Sequence, residues 1–203
     1  MQNRAQDKVL KKKSLVREYA EAAILAVFLA FFIRTSVVQA FKIPSSSMEP
    51  TLLVGDHILV NKFIYGIKIP FTDKTLLPIS SPKREDVVVF IYPVDPDKDF
   101  IKRVIGVPGD TIEIKNQRIY INGSLYSDPY GVYSDIRSTS LESPSNATII
   151  NVPEDHLFVM GDNRDHSYDS RFWGFVPMSS LKGKAFIIYW SWPNWQRFFH
   201  WII

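Results

Sequence analysis

Residues 87–92 read VVVFIY, a run made entirely of β-branched and aromatic side chains. Such side chains fit the pleated, half-buried surface of a sheet, so this run predicts a strand. Downstream, the segments TIEI (111–114) and RIYI (118–121) flank a polar turn, and Asn122-Gly123 follows as a frequent hairpin turn. The pattern predicts consecutive antiparallel strands.

The rest of the chain after residue 41 has a similar character. Further strand-like runs occur at 58–61, 157–160 and 184–190, and no segment has a convincing helical period over ten residues. Residues 127–148 are rich in Ser, Pro and Asp, which is typical of a long surface loop. We therefore expect residues 42–203 to form one mainly β domain.

Residue counts exclude several kinds of chemistry. The chain has 203 residues and no cysteine, so disulfides, thiolate zinc sites, iron–sulfur clusters and a cysteine nucleophile are excluded. The four histidines show no HExxH or other close pairing, and there is no phosphate-binding loop or GxSxG motif. We expect neither a metal nor a cofactor.

The net charge of +3 is concentrated at one end of the chain. Residues 1–18 carry six basic and two acidic side chains, a local charge of +4, and the remaining 18 basic and 19 acidic residues leave a charge of −1. A nucleic-acid-binding domain needs a basic face of its own. We therefore expect no nucleic-acid partner.

An apolar segment follows this basic tail. Residues 22–41 contain one charge, Arg34, and as a helix they would span the hydrocarbon core of about 30 Å. A core helix fits poorly beside the lysines, and a cleavable signal ending at residues 38–40 would not normally carry Arg34. An anchor tolerates it, because an arginine near a helix end snorkels to the interface. We predict a cytoplasmic tail (1–18), a transmembrane anchor (19–41) and an extracytoplasmic domain.

Three further segments carry the functional signal. They are IPSSSMEPTL (43–52), DFIKRVIGVPGD (99–110) and GDNRDHSYDSRFWGFVP (161–177). With the apolar segment before them, and in this order, they resemble the type I signal peptidases, membrane-anchored serine proteases with a Ser/Lys dyad. The resemblance covers essentially the whole chain. It implies an antiparallel coiled β-sheet catalytic domain with one N-terminal transmembrane helix.

The resemblance also implies roles for individual residues. Ser45, Ser46 and Ser47 are chemically alike, so composition cannot choose among them. The family pattern selects Ser47 as the nucleophile and Lys102 as its general base. It places the Ser45 hydroxyl and the Ser47 amide in the oxyanion hole, and it makes Ser167 the residue that orients the lysine. The residues implied to support the site are Asp162, Arg164, Asp169 and Arg171.

A lysine base must be neutral before it can activate a serine. Free lysine has a pKa of about 10.4, so roughly one molecule in 10³ is neutral at pH 7. Burial lowers this pKa by several units. Lys102 lies among apolar neighbours, and a strand would turn it inward while Arg103 faces solvent.

The substrates implied by the resemblance are preproteins whose signal peptides end in small residues, in A-x-A-like sites. An exposed strand edge would pair with the extended substrate, and shallow apolar pockets would select its side chains. The residues implied to line these pockets are Ile43, Pro44, Met48, Leu52, Phe100 and Ile101. Three residues depart from patterns found in the family, namely His166, Phe100 and Glu49, and none of them belongs to the dyad.

Together these features predict a membrane-anchored serine endopeptidase that removes signal peptides, with preproteins, the lipid bilayer and the protein-export machinery as partners. Alternatives are a self-cleaving Ser/Lys regulator, which would be soluble and bind DNA, and a catalytically inactive membrane-anchored scaffold. Removal of residues 1–40 would instead give a soluble exported hydrolase. Four of the five tryptophans follow residue 189, where they form either a packed tail or an interfacial belt.

Overall fold

The computed structural model of the chain describes residues 15–32, 37–68, 75–77, 79–133, 148–192 and 194–203. The chain divides into two units, one that holds the helix α1 (Leu15–Phe32) and a β-rich domain, Val37–Ile203.

Helix α1 begins within the predicted basic tail. Near its start Arg17 Nε and Glu21 Oε1 form an ion pair at 2.8 Å, the i,i+4 spacing that brings two side chains together on a helix. Within the described residues, no helix is both long and apolar enough to cross a membrane. Residues 1–14 and 33–36 of the predicted tail and anchor lie outside the described residues.

The C-terminal limit of the predicted anchor needs correction. Residues 38–41 form a β-strand, in which Val38 lies opposite Asn61 and Phe41 lies opposite Ile58 of the next strand. Their backbone groups are paired across a sheet, whereas a spanning helix would pair them within itself. A helical anchor therefore cannot extend to Phe41, and the β domain begins before residue 42.

The strands of the β domain in the described residues are β1 (Val38–Lys42), β2 (Asp56–Asn61), β3 (Ile67–Lys68), β4 (Thr75–Leu77), β5 (Val87–Ile91), β6 (Asp99–Gly106), β7 (Thr111–Lys115), β8 (Arg118–Ile121), β9 (Ser124–Leu125), β10 (Thr148–Asn151), β11 (His156–Met160), β12 (Val176–Pro177), β13 (Leu181–Ser191) and β14 (His200–Trp201). One short helix, α2 (Ser170–Trp173), precedes β12.

Eight of these strands form one antiparallel sheet. Its order is β1-β2-β13-β5-β6-β11-β12, and β14 also pairs with β13. Strand β13 pairs with β2 along one side, and with β5 and then β14 along the other, and its pairing is shifted by bulges that increase the local twist. A second sheet has the order β10-β7-β8-β9, and β3 pairs with β4.

The main sheet buries apolar side chains on both faces. Val87 and Val89 of β5 pack in one core with residues of β2 and β13, whereas Val88 and Phe90 pack in another with residues of β6 and β11. Adjacent strand residues point to opposite faces, and here both faces are covered. This explains why the VVVFIY run has no polar alternation.

The predicted mainly β, antiparallel architecture is confirmed. Strands occupy each predicted run, and β13 is longer than expected by a few residues. Asn122 and Gly123 join β8 to β9 with φ values of 54° and 79°, the left-handed conformation that such a hairpin turn requires. Residues 134–147 of the predicted surface loop lie outside the described residues.

Candidate active site

Ser47 lies in a single turn of 3₁₀-helix, Ser46–Met48, shortly after β1. The Leu52 N–H donates to Met48 O at 2.9 Å, which closes the following turn. Met48 is fully buried in the core that residues of β2, β5 and β13 share. The buried methionine therefore holds the turn, and with it Ser47, against the sheet.

Lys102 lies in β6, opposite Val88 of β5. Its Nζ donates to Ser47 Oγ at 2.7 Å and to Ile101 O at 3.0 Å. The side chain is only 4% exposed, and the centroid of the Phe100 ring is 5.5 Å from Nζ. The structure thus brings together two predicted residues that are 55 positions apart in the sequence.

Burial lowers the pKa of Lys102 from 10.5 to about 8. The Asp169 and Asp162 carboxylates oppose this change, whereas the Arg171 guanidinium adds to it. With a pKa of about 8, about one molecule in ten has a neutral amine at pH 7, compared with roughly one in 10³ for free lysine. Burial therefore raises the fraction of lysine that can accept a proton about a hundredfold at pH 7.

Ser45 Oγ lies 3.4 Å from Ser47 Oγ. Ser45 occupies the N-cap position of the 3₁₀ turn, but its side chain makes no capping hydrogen bond. Its hydroxyl therefore bonds no backbone N–H at the start of the turn and lies next to the Ser47 hydroxyl.

Ser167 lies close to the dyad without a hydrogen bond to it. Its Oγ is buried and has no hydrogen-bond partner in the described part of the chain. A Cβ atom at Gly161 would collide with both Ser167 Oγ and Ser47 O. Gly161 thus permits the close approach of the two serines, a role that sequence reasoning missed although Gly161 begins the third motif.

Asp169 and Arg171 stabilise the loop that carries Ser167. Arg171 Nε is 2.8 Å from Asp169 Oδ1, and Asp169 Oδ2 accepts from the Gly161 N–H at 3.0 Å. Arg171 Nη2 also donates to Arg164 O at 2.6 Å. The Asp169–Arg171 ion pair, in which Asp169 is buried and Arg171 is partly exposed, therefore connects the beginning, middle and end of the 161–171 loop.

Asp162 pairs with Arg103. The Arg103 Nε and Nη2 atoms donate to the two Asp162 carboxylate oxygens at 2.8 Å each, and both side chains are fully buried. The expectation that Arg103 faces solvent is therefore wrong. Arg103 follows Lys102 on the strand, but its own face is also covered, and its Nη1 donates to Glu85 O and Ile203 O at 2.8 Å.

Arg164 and Asn163 of the same loop form hydrogen bonds to residues of neighbouring segments. Arg164 is buried, and its Nη2 donates to Asp128 Oδ1 at 2.9 Å. Asn163 donates from its backbone N–H to Ser47 O at 3.1 Å and from Nδ2 to Ser46 O at 3.2 Å. Asn163 thus fixes the nucleophile's own turn. Its only signal in the sequence is its place within the third motif.

Three of the six predicted pocket residues are buried in the structure. Ile43, Met48 and Leu52 are at most 2% exposed, because they pack in the core beneath the sheet. Their role as pocket lining stays a prediction. The predicted pocket residues that retain exposed surface are Pro44, Phe100 and Ile101.

Strand β6 has an open edge next to Lys102. Residues 99–103 pair with β5, whereas β11 pairs with β6 only from Arg103 onward. On the β11 side, residues 99–102 have no partner strand in the described part of the chain. An extended peptide could add to the sheet at this edge.

His166 lies exposed at the end of the turn Arg164–His166. Its backbone N–H donates to Asn163 O at 3.1 Å. In the parts of the chain that the structure describes, no three His, Asp or Glu side chains are grouped so that they could hold a metal ion.

A serine hydroxyl bonded to a buried amine of lowered pKa, on an antiparallel β domain, defines a site for acyl transfer to serine with lysine as the base. The open strand edge beside it is suited to an extended peptide. The site and fold therefore have the arrangement expected of a Ser/Lys peptidase.

Comparisons identify the family. The family model described as "Signal peptidase, peptidase S26" matches residues 16–190. Signal peptidase I of Pseudomonas aeruginosa is 39% identical over 219 residues, which cover 91% of this chain and 76% of the relative. Signal peptidase I of Aquifex aeolicus is 38% identical, with coverage of 87% and 85%. A crystal structure of a signal peptidase I from Enterococcus faecalis V583 is 32% identical, covers 52% of this chain and 97% of its own, and has a TM-score of 0.42.

The chain belongs to the signal peptidase family, peptidase S26. Membership confirms the predicted enzyme class, a serine endopeptidase that removes signal peptides. It also favours this function over that of a self-cleaving regulator.

Proposed function

We propose that the chain cleaves signal peptides from exported preproteins with Ser47 as the nucleophile and Lys102 as the general base. The observation that carries this proposal is the 2.7 Å hydrogen bond between Lys102 Nζ and Ser47 Oγ in a buried site. A serine hydroxyl is a weak nucleophile until a base removes its proton. The lowered pKa of Lys102 supplies that base near neutral pH.

The reaction proceeds through an acyl-enzyme. Neutral Lys102 takes the Ser47 proton as Oγ attacks the carbonyl carbon of the residue before the cut. The tetrahedral intermediate collapses when its C–N bond breaks, and the leaving amine takes the proton from the Lys102 ammonium. Water then attacks the ester and gives a proton to Lys102, and the C–Oγ bond breaks as Ser47 regains a proton. The products are a signal peptide with a free carboxylate and a mature chain with a free amine.

Ser45 and Ser167 assist the dyad in this proposal. Ser45 Oγ, 3.4 Å from Ser47 Oγ, donates to the oxyanion together with the Ser47 amide. A neutral lysine has two N–H groups and one lone pair. One N–H has its acceptor in Ile101 O, and the unpartnered Ser167 Oγ is the nearby group suited to accept the other. The lone pair is then directed at the Ser47 proton.

The open edge of β6 receives the signal peptide. Residues 99–102 supply backbone groups to an extended chain, and Pro44, Phe100 and Ile101 supply the partly exposed apolar surface next to Ser47. Because Ile43, Met48 and Leu52 are packed in the core beneath, the available space is shallow. A shallow apolar site accepts the small side chains of A-x-A-like sequences and excludes larger ones.

The proposed location is a membrane, with the basic tail in the cytoplasm and the catalytic domain on the extracytoplasmic side, where preproteins emerge from the export machinery. The support is the +4 charge of residues 1–18 directly before an apolar segment. N-terminal sequencing of the protein from a membrane fraction tests the anchor. A mature chain that begins at Phe41 would overturn it.

An aromatic surface near the C-terminus is the proposed lipid contact of the β domain. Trp192, Trp195, Phe199 and Trp201 are each more than 60% exposed, and Trp190 packs against Trp195 at a centroid distance of 5.8 Å. Exposed tryptophans are enriched where a bilayer meets water. Lipids brominated near the headgroup should quench tryptophan fluorescence of the reconstituted protein. Unchanged fluorescence would contradict the contact.

Single substitutions test the dyad. Ser47→Ala and Lys102→Ala should abolish cleavage of a preprotein and leave the circular dichroism spectrum unchanged. Ser46→Ala is the matched control, because it removes the neighbouring hydroxyl from the same turn and should leave most of the activity. Cleavage by either dyad variant, or loss of activity only in Ser46→Ala, would refute the assignment.

A further inference from the structure

Two exposed aromatic residues lie near Ser167, Tyr168 on the loop that brings Ser167 to the dyad and Phe172 on helix α2, which follows it. Tyr168 and Phe172 are 56% and 60% exposed, and their ring centroids are 5.4 Å apart. The mechanism above uses neither of them. Large apolar side chains exposed as a pair beside a reaction site are typical of a binding surface.

Tyr168 lies next to residues on two sides of Lys102, namely Ser167 on one side and Tyr92 with Phe100 on the other. It directly follows Ser167, whose Oγ is packed against Gly161 and the Ser47 backbone. Burial raises the pKa of Tyr92, and the neighbouring Tyr168 side chain adds to this change. Tyr92 in turn stacks on Phe100 with parallel rings 4.2 Å apart, and the Phe100 ring lies beside Lys102 Nζ. The exposed pair therefore continues outward from the lysine end of the dyad.

The lysine end is where the leaving chain must pass. The same amine that takes the Ser47 proton returns it to the nitrogen of the leaving group, so this nitrogen comes within hydrogen-bond reach of Lys102 Nζ. The acyl half of the substrate lies instead towards Ser45, and Phe100, whose ring centroid is 5.5 Å from Lys102 Nζ, borders the substrate on both sides of the cut. The residues directly after the cut are thus directed past Phe100 towards Tyr168 and Phe172.

We infer that Tyr168 and Phe172 form a specificity site for the first two residues of the mature chain, and that this site favours an aromatic or bulky apolar side chain there. The inference rests on the proposed function. It adds a preference for certain side chains after the cut, whereas the A-x-A-like sequence lies before the cut. Arg171 Cζ lies 5.7 Å from the Phe172 ring centroid and helps to fix the orientation of that ring.

The expected preference is modest. Aromatic pairs contribute about 0.5–1.5 kcal/mol beyond the area they bury, which corresponds to about two- to tenfold in kcat/KM. Because the contact precedes bond breaking and persists through it, the effect should fall mainly on KM.

The test uses the full-length protein and preproteins that differ only at the first or second residue after the cut, with Ala or Phe at each position. For the wild type, Phe at one of the two positions should be cut about two- to tenfold more efficiently than Ala. Tyr168→Ala and Phe172→Ala should remove this ratio and leave cleavage of the Ala substrate nearly unchanged. Tyr168→Phe keeps the ring and should keep the ratio. Leu125→Ala, which removes a side chain of similar exposure from β9, is the control.

The outcomes separate the inference from the proposed function. If the ratio of kcat/KM for the Phe substrate to that for the Ala substrate is the same in the wild type and in both alanine variants, the specificity site is overturned and the proposed cleavage activity is not affected. Absence of cleavage of every substrate by the wild type would overturn the proposed function. A similar loss of the ratio in Leu125→Ala would also contradict the inference, because it would trace the preference to something other than Tyr168 and Phe172.

Discussion

Replacement of Lys102 by methionine should stabilise the folded domain at neutral pH. Lys102 is 4% exposed, and burial lowers the pKa of its amine from 10.5 to about 8. The unfolded chain therefore binds this proton more tightly than the folded domain does. Burying the charged amine therefore costs folding free energy. Methionine has a similar length and no charge, so Lys102→Met removes this free-energy cost but also removes the hydrogen bonds to Ser47 and Ile101.

The pKa difference fixes both the size and the sign of the effect. A shift from 10.5 to about 8 corresponds to about 3 kcal/mol, at 1.36 kcal/mol per pH unit. Below pH 8 both states are protonated and the full cost is present. Between pH 8 and 10.5 the unfolded state binds more protons than the folded state, so the stability of the wild type rises with pH. The advantage of Lys102→Met should thus shrink by about 2–3 kcal/mol between pH 7 and pH 10.

Denaturant unfolding of the full-length protein in detergent, followed by tryptophan fluorescence, measures this change. The wild type and Lys102→Met are compared at several pH values, and Lys115→Met is the matched control because it removes an exposed lysine from β7. A stability difference between the wild type and Lys102→Met that stays constant from pH 7 to pH 10 would refute the reasoning, since it would mean that Lys102 has no lowered pKa in the fold.

Three further predictions concern activity. The kcat/KM for a preprotein should rise about tenfold per pH unit below the Lys102 pKa of about 8 and then level off, which a pH–rate profile measures; a profile flat from pH 6 to 9 would contradict the lysine base. Gly161→Ala should lower kcat at least about tenfold without unfolding the domain, because the new methyl group collides with Ser47 O; normal turnover would exclude this crowding. Arg171→Gln should move the pH–rate profile to higher pH, because Arg171 lowers the Lys102 pKa and balances Asp169, which raises it; an unmoved profile would show that the pair does not affect the base.

Local pattern was sufficient to predict the strands, because their side chains differ in kind from those of the turns. Local pattern could not predict that Arg103 is buried. Alternation along the strand predicts only that Arg103 faces away from Lys102. Whether that face of the sheet is covered depends on Asp162, which lies far along the chain. The same limit applies to Met48 and Leu52. Pattern could not show how deeply they are buried, because that depends on their packing against residues of β2, β5 and β13.

The end of the anchor was misplaced for a related reason. Residues 38–41 are apolar enough to continue a helix, and their pairing with β2 depends on residues 58–61, which come later in the chain. The dyad differs from these cases. Ser47 and Lys102 were selected by the match of whole motifs to a family, since three equivalent serines gave the chemistry alone no basis for a choice.

Burial is the largest influence on the pKa of Lys102, and it outweighs the Asp169 and Asp162 carboxylates, which raise that pKa and are each paired with an arginine. Asp162 and Asp169 would each hold a proton on the amine if they were unpaired. Asp162 makes two 2.8 Å hydrogen bonds to Arg103, and Asp169 makes an ion pair with Arg171. Each pair fixes part of the loop next to Ser47 and adds almost no net charge. The two ion pairs therefore allow a polar, well-ordered loop to surround a lysine that can still lose its proton near neutral pH.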